Sequence, residues 1–475
     1  MYDVAVIGAG VIGTAIAREL SRYELKIAVL EKEPDVSVGT SKANSGIVHA
    51  GYDPEEHTMM AKLNAQGNKL FDAVCEELSV PFKRNGSLVV AFSDEELGHI
   101  EKLMQRGINN GIPGLSIITR DELLKREPII NPEAKAALFA ETAGIVDPML
   151  LTISYMENAV MNGAECHLNF DVKSIKNENG GYTISSGNNS VSAKFVVNAA
   201  GFFADAIHNM AAPEAYHIVF RRGQYYLLDK TEGELVKATV FPCPSKAGKG
   251  ILVAPTVHGN TFIGPTSDAV AVGEDLGTTD DILSDARKGA KLLVPKISTR
   301  NVIRAFAGIR AEPSTGDFII KEAEGAPNFI DVAGIKSPGL TAAPAIARYA
   351  LSILEEKGLA LKMKSDFNPI VKRKLFIEMP GEEQSALIRR NPLYGRIICR
   401  CENITEGDIV DAIRRKPGAS TLDGVKRRCR AGMGRCQSGF CGPKVLQILA
   451  RELGRPMEEI VLEKKSSYIL TGKTK

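Results

Sequence analysis

No apolar stretch in these 475 residues reaches the ~20 that a membrane span needs, so no transmembrane helix is expected. Excess charge is missing too. The formal net charge is +2, which argues against nucleic acid or an anionic membrane surface as the main partner. There is no internal repeat and no low-complexity tract. The N-terminus carries no basic leader, and its apolar residues read as a first strand rather than a signal peptide. The 8 cysteines make no disulfide framework; half of them stand in metal-type spacing, which fits a reducing, cytoplasmic setting. What is present is the composition of a soluble globular protein, 44% hydrophobic and 24% charged, with length for about three domains.

Tyr2 to Ile7 is a short apolar run suited to a buried parallel strand. It enters Gly8-Ala-Gly10-Val-Ile-Gly13, followed by a small-residue helix and by a second strand, Lys26 to Leu30, that ends in Glu31. Strand, G-x-G-x-x-G, helix, strand and acid in that order form the dinucleotide fingerprint in its required context. Gly8 permits the tight turn, Gly10 lets backbone approach a pyrophosphate, and Gly13 allows close helix–strand contact. The helix start offers unpaired amides to the phosphates. Glu31 can accept hydrogen bonds from the adenosine ribose and disfavours a 2′-phosphate.

The other end of the chain carries Cys399-Arg-Cys401 and, some thirty residues on, Cys436-Gln-Ser-Gly-Phe-Cys441. In an extended loop Cys399 and Cys401 point to the same side and can reach one metal centre. Glycines 432, 434 and 439 let backbone amides turn toward a negatively charged cluster. Four thiolates suit a [2Fe-2S] cluster or a structural zinc; zinc more often uses C-x2-C hooks, which favours iron–sulfur. Cys75, Cys166 and Cys243 read as plain buried thiols, and Cys429 as an idle thiol beside the cluster or a spare ligand.

Three further stretches carry a resemblance. Gly39-Thr-Ser41-Lys-Ala-Asn44-Ser45-Gly46-Ile-Val-His49-Ala-Gly51 is a small, polar loop after the second strand. Phe195-Val-Val-Asn-Ala-Ala200-Gly201 is a buried strand ending in a tight turn, and Asp331 to Thr341 is a strand, a turn and a helix start. In this order of motifs, residues 1 to about 355 resemble the FAD-dependent oxidoreductases of the D-amino-acid-oxidase and glycerol-3-phosphate-dehydrogenase superfamily. The resemblance implies FAD, with Ser41, Asn44, Ser45, Ala200, Gly201, Gly339, Leu340 and Thr341 along it and Val172, in a mid-chain strand, at the adenine. Cys399-Arg-Cys401-Glu, the helix from Thr405 to Ile413, and Arg430 to Cys441 resemble the bacterioferritin-associated-ferredoxin type of [2Fe-2S] module. The combination is similar to the large subunits of anaerobic glycerol-3-phosphate dehydrogenases.

The expected fold class is α/β: a discontinuous Rossmann-like FAD domain (1–80, 145–210 and 325–358) with an inserted β-rich substrate domain (81–144 and 211–324). A linker (359–393), a small helical [2Fe-2S] domain (394–455) and a tail (456–475) complete the chain. Flavin chemistry on an alcohol needs a proton acceptor and an anchor for substrate charge. Arg310 is the candidate anchor, since guanidinium pairs carboxylate or phosphate bidentately, and Lys336 matches a substrate-side lysine of glycerol-3-phosphate enzymes. His49 is the candidate base or flavin-positioning group, with a covalent flavin tether as alternative. One of Tyr225 and Tyr226 faces the flavin, because they alternate along a strand, and His258 reads as an exposed turn residue.

Asp53, close after His49, is expected to repel a phosphate, and the His49 loop also resembles L-2-hydroxyglutarate oxidases. The implied activity is dehydrogenation of a small anionic hydroxy compound, glycerol 3-phosphate first and L-2-hydroxyglutarate second, with electrons leaving through the cluster to a partner flavoprotein or electron-carrier subunit. Peripheral membrane association would come through such a partner. The competing class is an electron-transfer subunit whose partner does the chemistry.

Overall fold

The computed structural model describes every residue except 179, 188, 245–249 and 473–475. Residues 245–249 belong to the expected substrate domain and 473–475 to the expected tail, so those parts of both expectations lie outside the described residues. The apolar run Tyr2–Ile7 forms the centre of an eight-stranded sheet, parallel to Ile27–Leu30 on one side and to Asn189–Asn198 on the other. Glu165–His167 extends the parallel part past Ile27–Leu30, and Phe329–Ala333 pairs parallel with the end of Asn189–Asn198. A hairpin, Ser174–Glu178 and Gly181–Ser186, closes one edge in antiparallel sense.

Both faces of this sheet are covered, which explains why its strands read as continuous apolar runs rather than alternating ones. Helices Val11–Leu20, Met59–Glu77, Pro148–Met161 and Gly339–Glu356 bury one face around Val4, Val6, Ile16, Leu151 and Ile346. The other face packs Ala5, Ile7, Ala28 and Leu30 on Phe170, Val172 and Val196. Close approach is enforced by small residues. A Cβ on Gly13 would meet the Gly8 carbonyl oxygen at 2.0 Å, and one on Gly67 the Thr341 carbonyl oxygen at 2.1 Å.

A second sheet of nine strands is built around the long antiparallel pair Ile218–Leu228 and Val302–Pro313. It continues through Thr261–Ile263, Val253–Pro255 and Thr239–Pro242 to Ser87–Ala91, Ala136–Ala140 and Leu115–Thr119. Helix Asp280–Leu293 buries Ala286, Ala290 and Leu293 against it. From Ile397 a third unit forms, with two short strands and helices Glu406–Arg414, Leu422–Cys429 and Gly442–Leu453 around a core of Ile409, Val425, Leu446 and Leu449.

Two segments differ from their expected character. Residues 359–393 lose periodicity in sequence but are pinned rather than loose. Arg373 bonds Glu157 at 2.6 Å, Val371 donates its amide to the Glu77 carbonyl, and Gly381–Arg390 is helical with no buried residue. Arg373, one of the charges of this segment, is therefore a docking group. The tail is not free either: Ile460 is fully buried in the third core, and Val461 bridges Tyr468.

Candidate functional site

The loop ends of both sheets enclose a cavity of about 1300 Å³. That exceeds the ~300–1,000 Å³ of ordinary small-molecule pockets and leaves room for a dinucleotide with a substrate beside it. Gly8 turns with φ +102°, and a Cβ there would lie 2.5 Å from the Ala199 carbonyl oxygen. Gly10, at the start of helix Val11–Leu20, has ordinary angles, and a Cβ on it would meet only Ser41 Oγ, at 3.3 Å. The restriction on Gly10 thus comes from the cavity side. Ser41 Oγ accepts the Val11 amide at 2.9 Å, tying the loop after the second strand to the helix start.

Glu31 lies in the wall and accepts the backbone amides of Ala9, at 2.7 Å, and Glu33, at 3.0 Å. Burial pushes its carboxyl up to about 7, against the pull of those two amides. Asn44, Ser45, Val172, Ala200, Gly201, Gly339 and Leu340 also line the cavity. Val172 does so from a link between strands, not from within one as its resemblance implied. Two expected cofactor residues stand behind the wall. Gly13 serves helix–strand packing, and Thr341 is wholly buried, its hydroxyl accepting the His49 amide at 2.9 Å.

His49, Tyr225, Arg310 and Lys336 all reach the same cavity. The His49 backbone is clamped on both sides, since its carbonyl accepts from Asn68 at 2.9 Å while its amide goes to Thr341. Its Nε2 lies 3.1 Å from Ser337 Oγ, the residue after Lys336, and its ring stands 6.3 Å from that of Phe241. Tyr225 stacks on Phe306 with centroids 4.6 Å apart and puts its hydroxyl 3.3 Å from Ser45 Oγ. Burial raises its pKa, so the phenol stays protonated. Tyr226 turns to the core behind the sheet, as the alternation requires. Arg310 is steadied by donating to the Thr266 carbonyl. Arg222 is engaged by Asp268 and Asp275, and Arg221, which lines the cavity, pairs with Glu312 at 3.4 Å.

One expectation is reversed. His258 is not an exposed turn residue; its Nε2 lies 2.9 Å from Asp147, a buried carboxylate that caps helix Pro148–Met161. Asp53, for its part, does not line the cavity. Phe241, Lys42 and Lys464 line the wall without having been singled out. Lys42 lies within the polar loop after the second strand, whereas no local motif marks Phe241 or Lys464, which reach the cavity through tertiary packing.

In the third unit Cys401 and Cys436 place their sulfurs 3.8 Å apart, and the Cys441 thiol bonds Cys399. Each C-x-C cysteine is thus matched with one from the second motif instead of with its sequence neighbour. Two thiolates on one tetrahedral metal at about 2.3 Å stand roughly 3.8 Å apart, so the observed spacing fits shared ligation. The Cys441 thiol, with the Gly432 and Glu402 amides, holds Cys399 down to about 6 despite its burial. A Cβ on Gly434 would fall 2.2 Å from Cys401 Cβ, so glycine lets the two loops meet. Cys429 is spent elsewhere: its thiol faces the Val425 carbonyl at 3.3 Å, and burial pushes it up to about 12. The cysteine loops rest on the second sheet through Arg435–Asp229 at 2.8 Å, Lys230–Glu402 at 3.0 Å and Arg304–Gln437 at 3.1 Å.

Residues 3–352 match the FAD dependent oxidoreductase family, and residues 397–451 match the BFD-like [2Fe-2S] binding domain. A glycerol 3-phosphate dehydrogenase from Caloramator mitchellensis is 51% identical over 100% of this chain and 99% of its own. A glycerol 3-phosphate oxidase from Mycoplasma pneumoniae is 38% identical over 75% of this chain and 95% of its own. The solved, FAD-bound L-alpha-glycerophosphate oxidase of Mycoplasma pneumoniae superposes with a TM-score of 0.75 at 36% identity, covering 78% of this chain and 99% of that one.

Proposed function

Since this chain belongs to the FAD dependent oxidoreductase family and carries a BFD-like [2Fe-2S] binding domain, we propose that it dehydrogenates glycerol 3-phosphate and delivers the electrons through the cluster to an acceptor outside the chain. The observation that carries this reading is the convergence of two cations, Arg310 and Lys336, with the clamped imidazole of His49 on the FAD cavity. FAD, when bound, takes the hydride equivalent from the substrate carbon and releases electrons singly. The chain's own residues do the rest.

Gly8 and Gly10 give the diphosphate backbone contact, and Glu31 takes the ribose hydroxyls. Arg310 pairs the substrate phosphate, with Lys336 adding a second positive charge. His49 accepts the hydroxyl proton at Nε2, in exchange with Ser337. Tyr225, protonated and stacked on Phe306, fixes the wall that orients the substrate. Cys399, Cys401, Cys436 and Cys441 would hold the cluster, which would supply a one-electron path away from the flavin.

Among the described residues no helix is long and apolar enough to cross a membrane, and we place the enzyme in the cytoplasm with a separate electron-carrier partner. Anaerobic mixing with glycerol 3-phosphate, L-2-hydroxyglutarate and glycerol, followed by flavin bleaching, tests the substrate. Bleaching by glycerol 3-phosphate well ahead of both others is expected. Equal rates with uncharged glycerol would remove the phosphate anchor, and bleaching by L-2-hydroxyglutarate alone would move the substrate to the 2-hydroxy acids.

A further inference from the structure

Residues 460–468 lie beyond both family matches, which end at 352 and 451. They form a small finger on the third unit. Ile460 anchors it in the core, the amides of Leu422 and Asp423 bond the Val461 and Leu462 carbonyls, and Val461 bridges back to Tyr468. Its tip is closed by Leu462 and Glu463, whose amides bond Ser467, and by the Ser467 amide on the Lys464 carbonyl.

The tip is locked onto the FAD-side loop by charge. Glu463 pairs with Lys42 and, at 2.6 Å, with Arg427, which in turn bonds buried Asp35 at 2.8 Å. Lys42 follows Ser41, whose hydroxyl caps the start of the dinucleotide helix. The Lys42 ammonium is therefore neutralised by Glu463 just where the fingerprint places an anionic diphosphate. The next residue of the tip, Lys464, returns a cation to the cavity wall, and no carboxylate among the described residues pairs with it.

We infer that Lys464 is an FAD-diphosphate contact supplied by the C-terminal finger, so that docking of the iron–sulfur unit completes the flavin site. The unpaired ammonium answers the phosphate charge. The Glu463–Lys42 and Asp35–Arg427 pairs fix its position from both sides of the interface.

The test is FAD release from the full-length holoprotein, followed by flavin fluorescence on dilution over a range of NaCl concentrations. Lys464→Ala should speed release roughly ten- to a hundredfold and flatten its salt dependence, with cluster absorbance unchanged. Lys464→Arg should recover most of the retention. Lys465→Ala, an exposed neighbour on the same tip, should match wild type. Unchanged release in Lys464→Ala overturns the inference, and a raised KM for glycerol 3-phosphate with unchanged release assigns the lysine to substrate instead. Should Lys464→Ala also lose the cluster, Lys464→Met, which keeps the stem, decides: wild-type retention there means that only packing mattered. Wild-type protein purified without FAD would instead undo the flavin reading itself.

Discussion

Both carboxylate oxygens of Asp35 lie 2.7 Å from the terminal nitrogens of Arg428, a bidentate pair that solvent does not reach from either side. Asp35 sits four residues past the cavity acid Glu31, and Arg428 precedes Cys429 in the third unit, so this pair joins the two cofactor units. Arg427 bonds the same carboxylate at 2.8 Å. Burial alone would raise the Asp35 pKa, but Arg428 and Arg427 hold it below the usual carboxylate range.

Asp35→Ala leaves two buried guanidiniums facing a lost partner. The expected cost is about 3–5 kcal/mol, read as a lower Tm. Sequence position alone suggested that the two cofactors sit in separable domains. The Asp35 network predicts otherwise, and Asp35→Ala should loosen FAD as well as the cluster unit. The sign with pH follows from the depressed carboxyl: its stabilisation is present above the unfolded value of about 4 and is lost as pH falls through the folded pKa below it. Thermal scans from pH 6 down to pH 3 should show a steeper loss in wild type than in the variant, because other depressed carboxyls such as Asp147 and Glu406 remain in both.

Glu31 shifts the other way. With its carboxyl pushed up to about 7, and with the ionised form the stronger acceptor for ribose hydroxyls, FAD binding releases a proton. Affinity of the deflavinated protein for FAD should therefore rise as pH climbs from 6 toward 7 and level off above it. Glu31→Gln should bind more weakly and with no such slope. A flat profile in wild type would show that Glu31 is already ionised or does not touch the ribose.

The fingerprint strand, its glycines and Glu31 were legible in sequence because they act through local backbone geometry at fixed spacing. The four cysteine positions were legible for the same reason, but their cross-pairing was not, since it depends on how the two loops meet at Gly434. His258 was misjudged because its partner Asp147 lies more than a hundred residues away. Lys464 left no signal at all: a lysine in a charged tail becomes a cavity residue only once Glu463 docks on Lys42.

Gly434→Ala tests the cluster without touching a ligand. The added methyl would fall 2.2 Å from Cys401 Cβ, so the loops must part and the sulfur spacing widen. Purified variant should hold much less iron, with the cysteines freely titrated by thiol reagents. Cys429→Ser should keep its iron, because that thiol already faces a helix carbonyl.

Arg310→Leu separates substrate anchoring from cofactor binding. The guanidinium is held by the Thr266 carbonyl and faces the cavity beside Tyr225, while the FAD-side residues belong to the other sheet and its loops. Loss of a charge-assisted partner to a bound phosphate costs about 2–5 kcal/mol, or roughly thirty- to several-thousand-fold in kcat/KM. Flavin content and cluster absorbance should stay at wild-type levels. Lys336→Met should cost less, because an ammonium adds charge without the bidentate fork. The double variant should show whether the two cations share one anion: if they do, the combined loss falls short of the product of the single losses. Full multiplication of the two effects would mean that Arg310 and Lys336 act on different groups, and the single-anion substrate site would have to be redrawn.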